Sequence, residues 1–105
     1  QTLEKRFLLF YSEYELFAQQ PIDAMAMMIL YKSAHLATRE PSHIQQILRC
    51  YDWFLGNNDL NISVFDTETK GCNDGIEPGS INRNQGAEST IAWLLARLIA
   101  NPYLP

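Results

Sequence analysis

The sequence predicts an all-α fold with about four helices, arranged as two α-hairpins with a long ordered loop before the last helix. Two observations predict it. First, the predicted helices alternate between those with one apolar face and those apolar on every side, which indicates outer and inner helices. Second, both inner helices open with the pattern Gln-x-x-acid, at residues 20–23 and 85–88. We therefore expect two layers, with the N-termini of the inner helices at one end of the stack.

The first and third predicted helices each carry a single apolar face. The first covers residues 3–17, and its apolar stripe contains Leu3, Phe7, Phe10, Tyr11 and Tyr14. The third covers residues 42–55, with Ser42 as its N-cap and Gly56 directly after its end. Because a helix with one apolar face has solvent behind it, we expect both on the outside of the domain.

The second and fourth predicted helices are apolar on nearly all sides. The second covers residues 21–37, begins at Pro21 and contains the stretch AMAMMILY. Proline suits a first helical position because its missing N–H is not needed there. The fourth covers residues 87–100, contains IAWLLARLIA and is stopped by Pro102. Both helices are expected to be enclosed on both flanks.

Residues 56–84 form a long connection between the third and fourth predicted helices. The connection contains NISVFD, which has strand-like alternation, and then TETKGCNDGIEPGS, which is rich in turn residues. A connection of this length is usually functional or disordered, and Phe65 and Ile76 argue against disorder. Acidic residues outnumber basic ones along it, so it brings negative charge to the start of the fourth helix.

The composition is that of an ordinary globular domain. The 105 residues are 47% hydrophobic and 19% charged, with a net charge of −4, which predicts one domain over residues 1–105 with a modest core. An acidic chain without a basic stripe is unlike proteins that bind nucleic acid or anionic membranes. No membrane span or signal peptide is visible. Cys50 and Cys72 form no metal motif, and we expect two reduced thiols in the cytoplasm, although the sequence leaves a disulfide open.

Polar residues cluster where the fourth helix begins, in the stretch NRNQGAEST at residues 82–90. One interpretation is capping, since an acid in the first turn binds the free N–H groups and suits the helix dipole. Glutamine is a poor N-cap, however, and it occurs at both inner-helix openings. The other interpretation is a pocket whose amides and carboxylates bind sugar hydroxyls. Two carboxylates facing one cleft also perform glycoside hydrolysis, and Asp23 and Glu88 are the natural pair.

Other residues offer alternatives to this pair. Further acids lie on the loop at Asp59, Asp66 and Asp74. An aspartate in a turn is commonly a turn-former, so each has a structural interpretation as well. Aromatic rings that could contact a sugar, or belong to the core, are Trp53, Phe65 and Trp93. His35 and His43 are predicted at the opposite end of the helices, with surface or capping roles.

Four motifs, in order, resemble the end of an α/α-toroid domain of the six-hairpin glycosidase-like superfamily: QQPIDA (19–24), YDWFLGNNDL (51–60), FDTETKGCNDGIEP (65–78) and NRNQGAEST (82–90). That domain occurs in bacteria beside or fused to GT-B-type glycosyltransferases, which are often mannosyltransferase-like. The resemblance covers about residues 17–101, and the first sixteen residues match poorly. It implies that the chain is part of a closed ring of inner and outer helices, with the pocket at the N-termini of the inner ones.

The resemblance also implies a function. We expect a carbohydrate-active domain, acting in glycosyl transfer or glycoside processing, that binds mannose-containing or other carbohydrate without a cofactor and is inactive as this fragment. The candidate catalytic residues are Asp23 and Glu88. The candidate substrate-binding residues are Gln20, Asp59, Asp74, Asn82, Asn84, Gln85 and Ser89. Exposed flanks of a partial ring predict association with another copy or with the rest of a larger protein. The alternatives are a non-catalytic sugar-binding module and a helical interaction domain.

Overall fold

The structure is a computed structural model and describes residues 19–105. Its elements, in chain order, are α1 (Pro21–Thr38), α2 (Pro41–Phe54), β1 (Gly75–Glu77), β2 (Ser80–Asn82), α3 (Ala87–Ala100) and a final 3₁₀ turn (Asn101–Tyr103). The first predicted helix, residues 3–17, lies outside the described residues. The other three predicted helices are present, and their bounds differ from the predicted ones by at most one residue.

The predicted fold class is wrong. The described residues form a mixed α/β structure, with three helices and a two-stranded antiparallel sheet, rather than an all-α pair of hairpins from a toroid. The sheet pairs Ile76 with Ile81 and Glu77 with Ser80. Pro78 and Gly79 form the reversal between the strands, and Gly79 has φ 72°, as the third position of a type II turn requires. Strands this short leave almost no periodicity for a sequence pattern to show.

The strand-like run NISVFD does not form a strand. Phe65 pairs with Cys72 in an isolated bridge. The N–H groups of Val64 and Phe65 both donate to the carbonyl oxygen of Phe54, at 2.8 and 3.0 Å. The run is therefore held against the end of α2, where the buried Val64 side chain adds to the core.

The helix ends have local causes. Pro21 and Pro41 occupy the first turns of α1 and α2, where a missing N–H leaves no partner unsatisfied. Arg39 ends α1 in the left-handed conformation, with φ 61°, and its N–H donates to the carbonyl of His35. These are features that a sequence shows within a few residues, which explains why the helix bounds could be predicted.

The core lies between the three helices and the connection that precedes the hairpin. The largest completely buried side chains include Met28, Ile47, Phe54 and Val64. On α3 the buried face consists of Trp93 and small residues at a spacing of four, Ala92, Ala96 and Ala100. Trp93 stacks on Phe65, with the ring centroids 4.3 Å apart, and on Tyr51, at 5.6 Å. Phe65 belongs to the connection, and its ring stacks on Trp93 of α3. This contact orders the connection by packing it against α3.

The outer surface of α3 is apolar as well. Its exposed face carries Ile91, Leu94, Leu95 and Leu98, with exposed fractions between 41% and 68%. The sequence predicted that this helix is enclosed on both flanks, and the described residues enclose one of them. Among residues 19–105, no helix combines the length and apolarity needed to cross a membrane.

Candidate functional site

A cavity of about 410 Å³ opens between the N-termini of α1 and α3, and the β-hairpin forms its third wall. Gln20 lines it from the start of α1, Glu88 from the first turn of α3, and Glu77 and Asn82 from the two strands. The two Gln-x-x-acid openings therefore lie at the same end of the structure, as the sequence predicted. The β-hairpin lies beside both of them and completes the cavity, and this hairpin was not predicted from the sequence.

The start of α1 is capped by its own residues. The backbone N–H of Gln20 donates to Asp23 Oδ2 at 3.2 Å, and the Gln20 side chain completes a capping box with the N–H of Asp23. Asp23 is not among the residues that line the cavity. The geometry therefore places this carboxylate in a capping role, and its assignment as a catalytic residue stays a prediction.

Gln19 connects α1 to the rest of the site, although the sequence interpretation had not selected it. Its backbone N–H and C=O pair with Ile76 of β1, at 3.0 and 2.9 Å. Its side-chain Nε2 donates to Asp59 Oδ2 at 3.0 Å, and its Oε1 accepts from Trp53 Nε1 at 2.9 Å. Asp59, a predicted substrate ligand, is thus bound to Gln19 and does not line the cavity. The doubled glutamine before Pro21 is the one sequence feature that could have indicated Gln19.

The start of α3 is capped by a residue from another segment. Gly86 is the N-cap residue and has no side chain for this role. Instead, Asp74 Oδ1 accepts hydrogen bonds from the Gly86 backbone N–H at 2.9 Å and from Ser89 Oγ at 2.8 Å. A carboxylate is favourable there because it satisfies a free N–H group and faces the positive end of the helix dipole. Asp74 and Ser89, both predicted substrate ligands, lie in the cavity wall and bind each other.

Gln85, the counterpart of Gln20 in the repeated pattern, binds the preceding loop. Its Nε2 donates to Asp66 Oδ2 at 2.9 Å and to Asn73 Oδ1 at 3.1 Å, while its Oε1 accepts from Thr69 Oγ1 at 2.8 Å. Gln85 does not line the cavity. Hydrogen bonds from the backbone N–H groups of Glu68 and Thr69, and then from Gln85, hold the pKa of Asp66 below its usual value. Gln85 therefore orders the loop beside the cavity.

The two predicted asparagine ligands have different positions. Asn82 lines the cavity, and its Oδ1 accepts from the Asn84 backbone N–H at 3.1 Å. Asn84 is outside the cavity wall, but its carbonyl accepts from the Asp74 backbone N–H at 2.7 Å. Asn84 thus contributes to the position of Asp74, while Asn82 lies in the cavity wall, where its Nδ2 donates to Glu77 Oε1 at 3.4 Å.

Glu88 differs from every other acid at this end of the structure. It lies in the first turn of α3 and is exposed at the cavity. No hydrogen bond of its carboxylate to another described residue is present, whereas the helix start is already capped by Asp74. Glu88 is therefore not needed to cap α3. Its exposed carboxylate suits the helix dipole, and it is also available to a ligand in the cavity.

The aromatic side chains belong to the core. Phe65 and Trp93 stack on each other, and Trp53 packs edge-on against Phe54 with centroids 5.2 Å apart. None of the three candidates, Trp53, Phe65 and Trp93, lines the cavity. The histidines lie near Tyr103 and Tyr31, and neither lines the cavity.

The cysteines also have structural positions. No disulfide joins Cys50 and Cys72, and Cys72 is completely buried. Burial, and then the negative charge of Asp74, raise the pKa of the Cys72 thiol to about 12. Cys72 is therefore an uncharged thiol at neutral pH, and it supports the loop rather than reacting.

Within the described part of the chain, no three His, Cys, Asp or Glu side chains are grouped so that they could hold a metal ion. Comparison with models of known families and with curated proteins finds no match for the chain. The chemistry of the cavity therefore has to be inferred from the groups that line it. These are the carboxylates of Asp74, Glu77 and Glu88, the amides of Gln20 and Asn82, and the backbone at the start of α3.

Proposed function

We propose that the chain binds carbohydrate in the cavity between α1, α3 and the hairpin, as part of a carbohydrate-active, glycosyltransferase-associated protein of the kind that its sequence motifs resemble. The observation that carries this proposal is the position of Glu88. Glu88 lines an open polar cavity, while the carboxylate of another residue, Asp74, binds the start of its helix.

The cavity walls match sugar hydroxyls in chemistry and size. A hydroxyl both donates and accepts, and the walls offer carboxylate oxygens as acceptors together with amide groups that do both. Such groups in the lining include those of Gln20, Glu77, Asn82 and Glu88. A volume of about 410 Å³ lies within the range of about 300–1,000 Å³ that small-molecule sites occupy.

Binding is better supported than acid–base catalysis by the Asp23–Glu88 pair. Hydrolysis needs two carboxyl groups across one cleft, and the carboxylate of Asp23 is part of a capping box outside the cavity wall. Glycosyl transfer or glycoside processing stays a prediction for a larger protein that contains this chain. A place in the cytoplasm stays a prediction from the sequence, whose two cysteines form no metal motif.

A titration tests the proposal. Methyl α-mannoside and manno-oligosaccharides are added to the full chain, and binding is followed by calorimetry and by amide chemical shifts. We expect shifts at Gln20, Asn82 and Glu88. Glu88→Gln should weaken binding by roughly tenfold or more, since hydrogen bonds to a charged group contribute about 1.5–3 kcal/mol.

The matched control is Glu68→Gln, which makes the same change at an exposed loop acid outside the cavity wall. It should leave the affinity unchanged. Absence of binding by every sugar at millimolar concentration would contradict the proposal, and so would equal affinity of the Glu88→Gln variant and the original chain.

A further inference from the structure

We infer that the cavity selects unphosphorylated sugars and rejects phosphorylated ones, including nucleotide sugars. The inference rests on the proposed function and names the substrate class of the same site. In a glycosyl transfer, the donor sugar carries a phosphate or diphosphate leaving group, whereas the acceptor is an uncharged glycan. The cavity thus belongs to the acceptor, or to another unphosphorylated glycan.

The first observation is the charge of the walls. Three carboxylate residues line the cavity, Asp74, Glu77 and Glu88, and no described residue in its lining is Lys, Arg or His. The nearest basic residue along the chain, Arg83, is exposed on the segment between β2 and α3 and is not part of the lining. A phosphate monoester carries a charge of about −1.5 to −2 at neutral pH, and it would be repelled by these carboxylates.

The second observation concerns the start of α3 and the contacts that one of these carboxylates, Asp74, makes there. The N-terminus of a helix is a common phosphate site, because free N–H groups and the helix dipole both favour an anion. Here a carboxylate of the protein itself already lies at that position. The Gly86 N–H and the Ser89 hydroxyl, which could hold a phosphate, both donate to Asp74 Oδ1, at 2.9 and 2.8 Å. A phosphate at the helix start would therefore lie against this internal carboxylate.

Uncharged sugars are not repelled by the wall carboxylates, and they do not compete with Asp74 for the start of α3. Their hydroxyls donate to carboxylate oxygens, and these charge-assisted hydrogen bonds are stronger than neutral ones. Glu88 and Glu77 offer such acceptors on two walls of the cavity. The same groups that repel a phosphate therefore favour a hydroxyl, so that one set of residues gives both the affinity and the selectivity.

The test compares mannose with mannose 6-phosphate, two probes that differ only in the phosphate. Calorimetric titrations use the full chain at low and at high salt. At low salt we expect mannose 6-phosphate to bind at least about tenfold more weakly than mannose. The difference should shrink at high salt, because screening weakens the repulsion between charges at an exposed site.

Two variants keep the test decisive. Asp74→Asn retains an oxygen that can accept from Gly86 and Ser89 but removes one charge from the wall. Glu77→Gln removes a charge from an exposed strand residue and serves if the first variant does not fold. Either should bind mannose 6-phosphate more tightly than the original chain, with a smaller change for mannose.

The outcomes separate the inference from the proposed function. If mannose binds and mannose 6-phosphate binds equally well or better, the inference is overturned and the proposed function stands. If neither probe nor any neutral manno-oligosaccharide binds, the proposed function fails. A preference for mannose that does not change with salt or with the two variants would also overturn the electrostatic origin that we assign to the selectivity.

Discussion

At the scale of single residues, Asp74 determines the form of the site. It precedes β1, yet it caps α3 by binding Gly86, twelve positions further along the chain, and Ser89, fifteen positions further. The sequence identified Asp74 as a turn-former or a ligand. The structure places it in the cavity wall, and its role as a ligand stays a prediction. Its capping partner could not be predicted, because that pairing depends on the hairpin that returns the chain to Asp74.

The residues of the repeated pattern show the same limit. Gln20 and Asp23 form a local capping box, whereas Gln85 binds loop residues and Glu88 faces the cavity. The pattern Gln-x-x-acid locates two residues relative to a helix start, which is a local property. What each side chain contacts is decided by the neighbouring segment, which differs between α1 and α3.

Replacement of Asp74 by alanine should destabilise the fold. The variant leaves the Gly86 N–H and the buried Ser89 hydroxyl without their acceptor, so we expect the free energy of unfolding to fall by about 1–2 kcal/mol. Asp74→Asn should cost less, because its amide oxygen can still accept. Urea denaturation followed by circular dichroism measures both changes.

The control for this experiment is Asp52→Ala, at an exposed acid on α2. It should change the free energy of unfolding by no more than about 0.5 kcal/mol, as is usual for a surface substitution. Equal stabilities of Asp74→Ala and Asp52→Ala would show that Asp74 does not cap α3.

At the scale of elements, the helices were predictable and the hairpin was not. The bounds of α1, α2 and α3 follow from prolines and apolar spacing, which are local features of each segment. The strands have three residues each, and the turn residues between them were visible only as part of a turn-rich stretch. Their pairing depends on contact with Gln19, more than fifty residues earlier in the chain.

Gly75 is the residue that lets the hairpin approach α1. Its φ is 154°, which side chains rarely allow, and a Cβ on it would collide with the carbonyl oxygen of Gln19. We therefore expect Gly75→Ala to break the pairing of Gln19 with Ile76 and to lower the free energy of unfolding by about 2 kcal/mol or more. Hydrogen exchange of the amides of Gln19 and Ile76 should accelerate in the same variant.

Gly79→Ala provides the matched control. Gly79 also has a positive φ, of 72°, but nothing lies within 4 Å of the position that a Cβ would take. It should cost only the backbone strain of a left-handed alanine, about 1 kcal/mol, and leave the Gln19 and Ile76 amides protected. If the two glycine variants lose the same stability and protection, close approach at Gly75 is not what holds the hairpin.

At the scale of the whole molecule, residues 19–105 cover α3 on one side only. Its inner face packs on the core through Ala92, Trp93, Ala96 and Ala100. Its outer face presents four large aliphatic side chains at i, i+3, i+4 and i+7, which form one continuous apolar strip: Ile91, Leu94, Leu95 and Leu98. Apolar spacing correctly showed that this helix lacks a polar face, but it could not show which side remains exposed.

This apolar strip is the surface through which we expect the association that the sequence predicts. Contiguous exposed apolar surface usually marks an interaction site or an aggregation liability. The one charged side chain of α3 beyond Glu88 is Arg97, and its guanidinium donates to the Tyr51 hydroxyl at 2.6 Å. The strip thus contains no charge that would oppose contact with the same strip on a second copy.

We expect the chain to self-associate through α3 in a concentration-dependent manner, and the double substitution Leu94→Glu with Leu98→Glu to abolish it. Two carboxylates in the middle of the strip would have to be desolvated in any contact between copies, which is costly. Light scattering coupled to size exclusion, over a hundredfold range of concentration, measures the molar mass.

The control Ile62→Glu changes an exposed loop residue outside α3 and should keep the association. A monomeric original chain at the highest concentration would refute self-association, and equal loss in the control variant would locate it elsewhere.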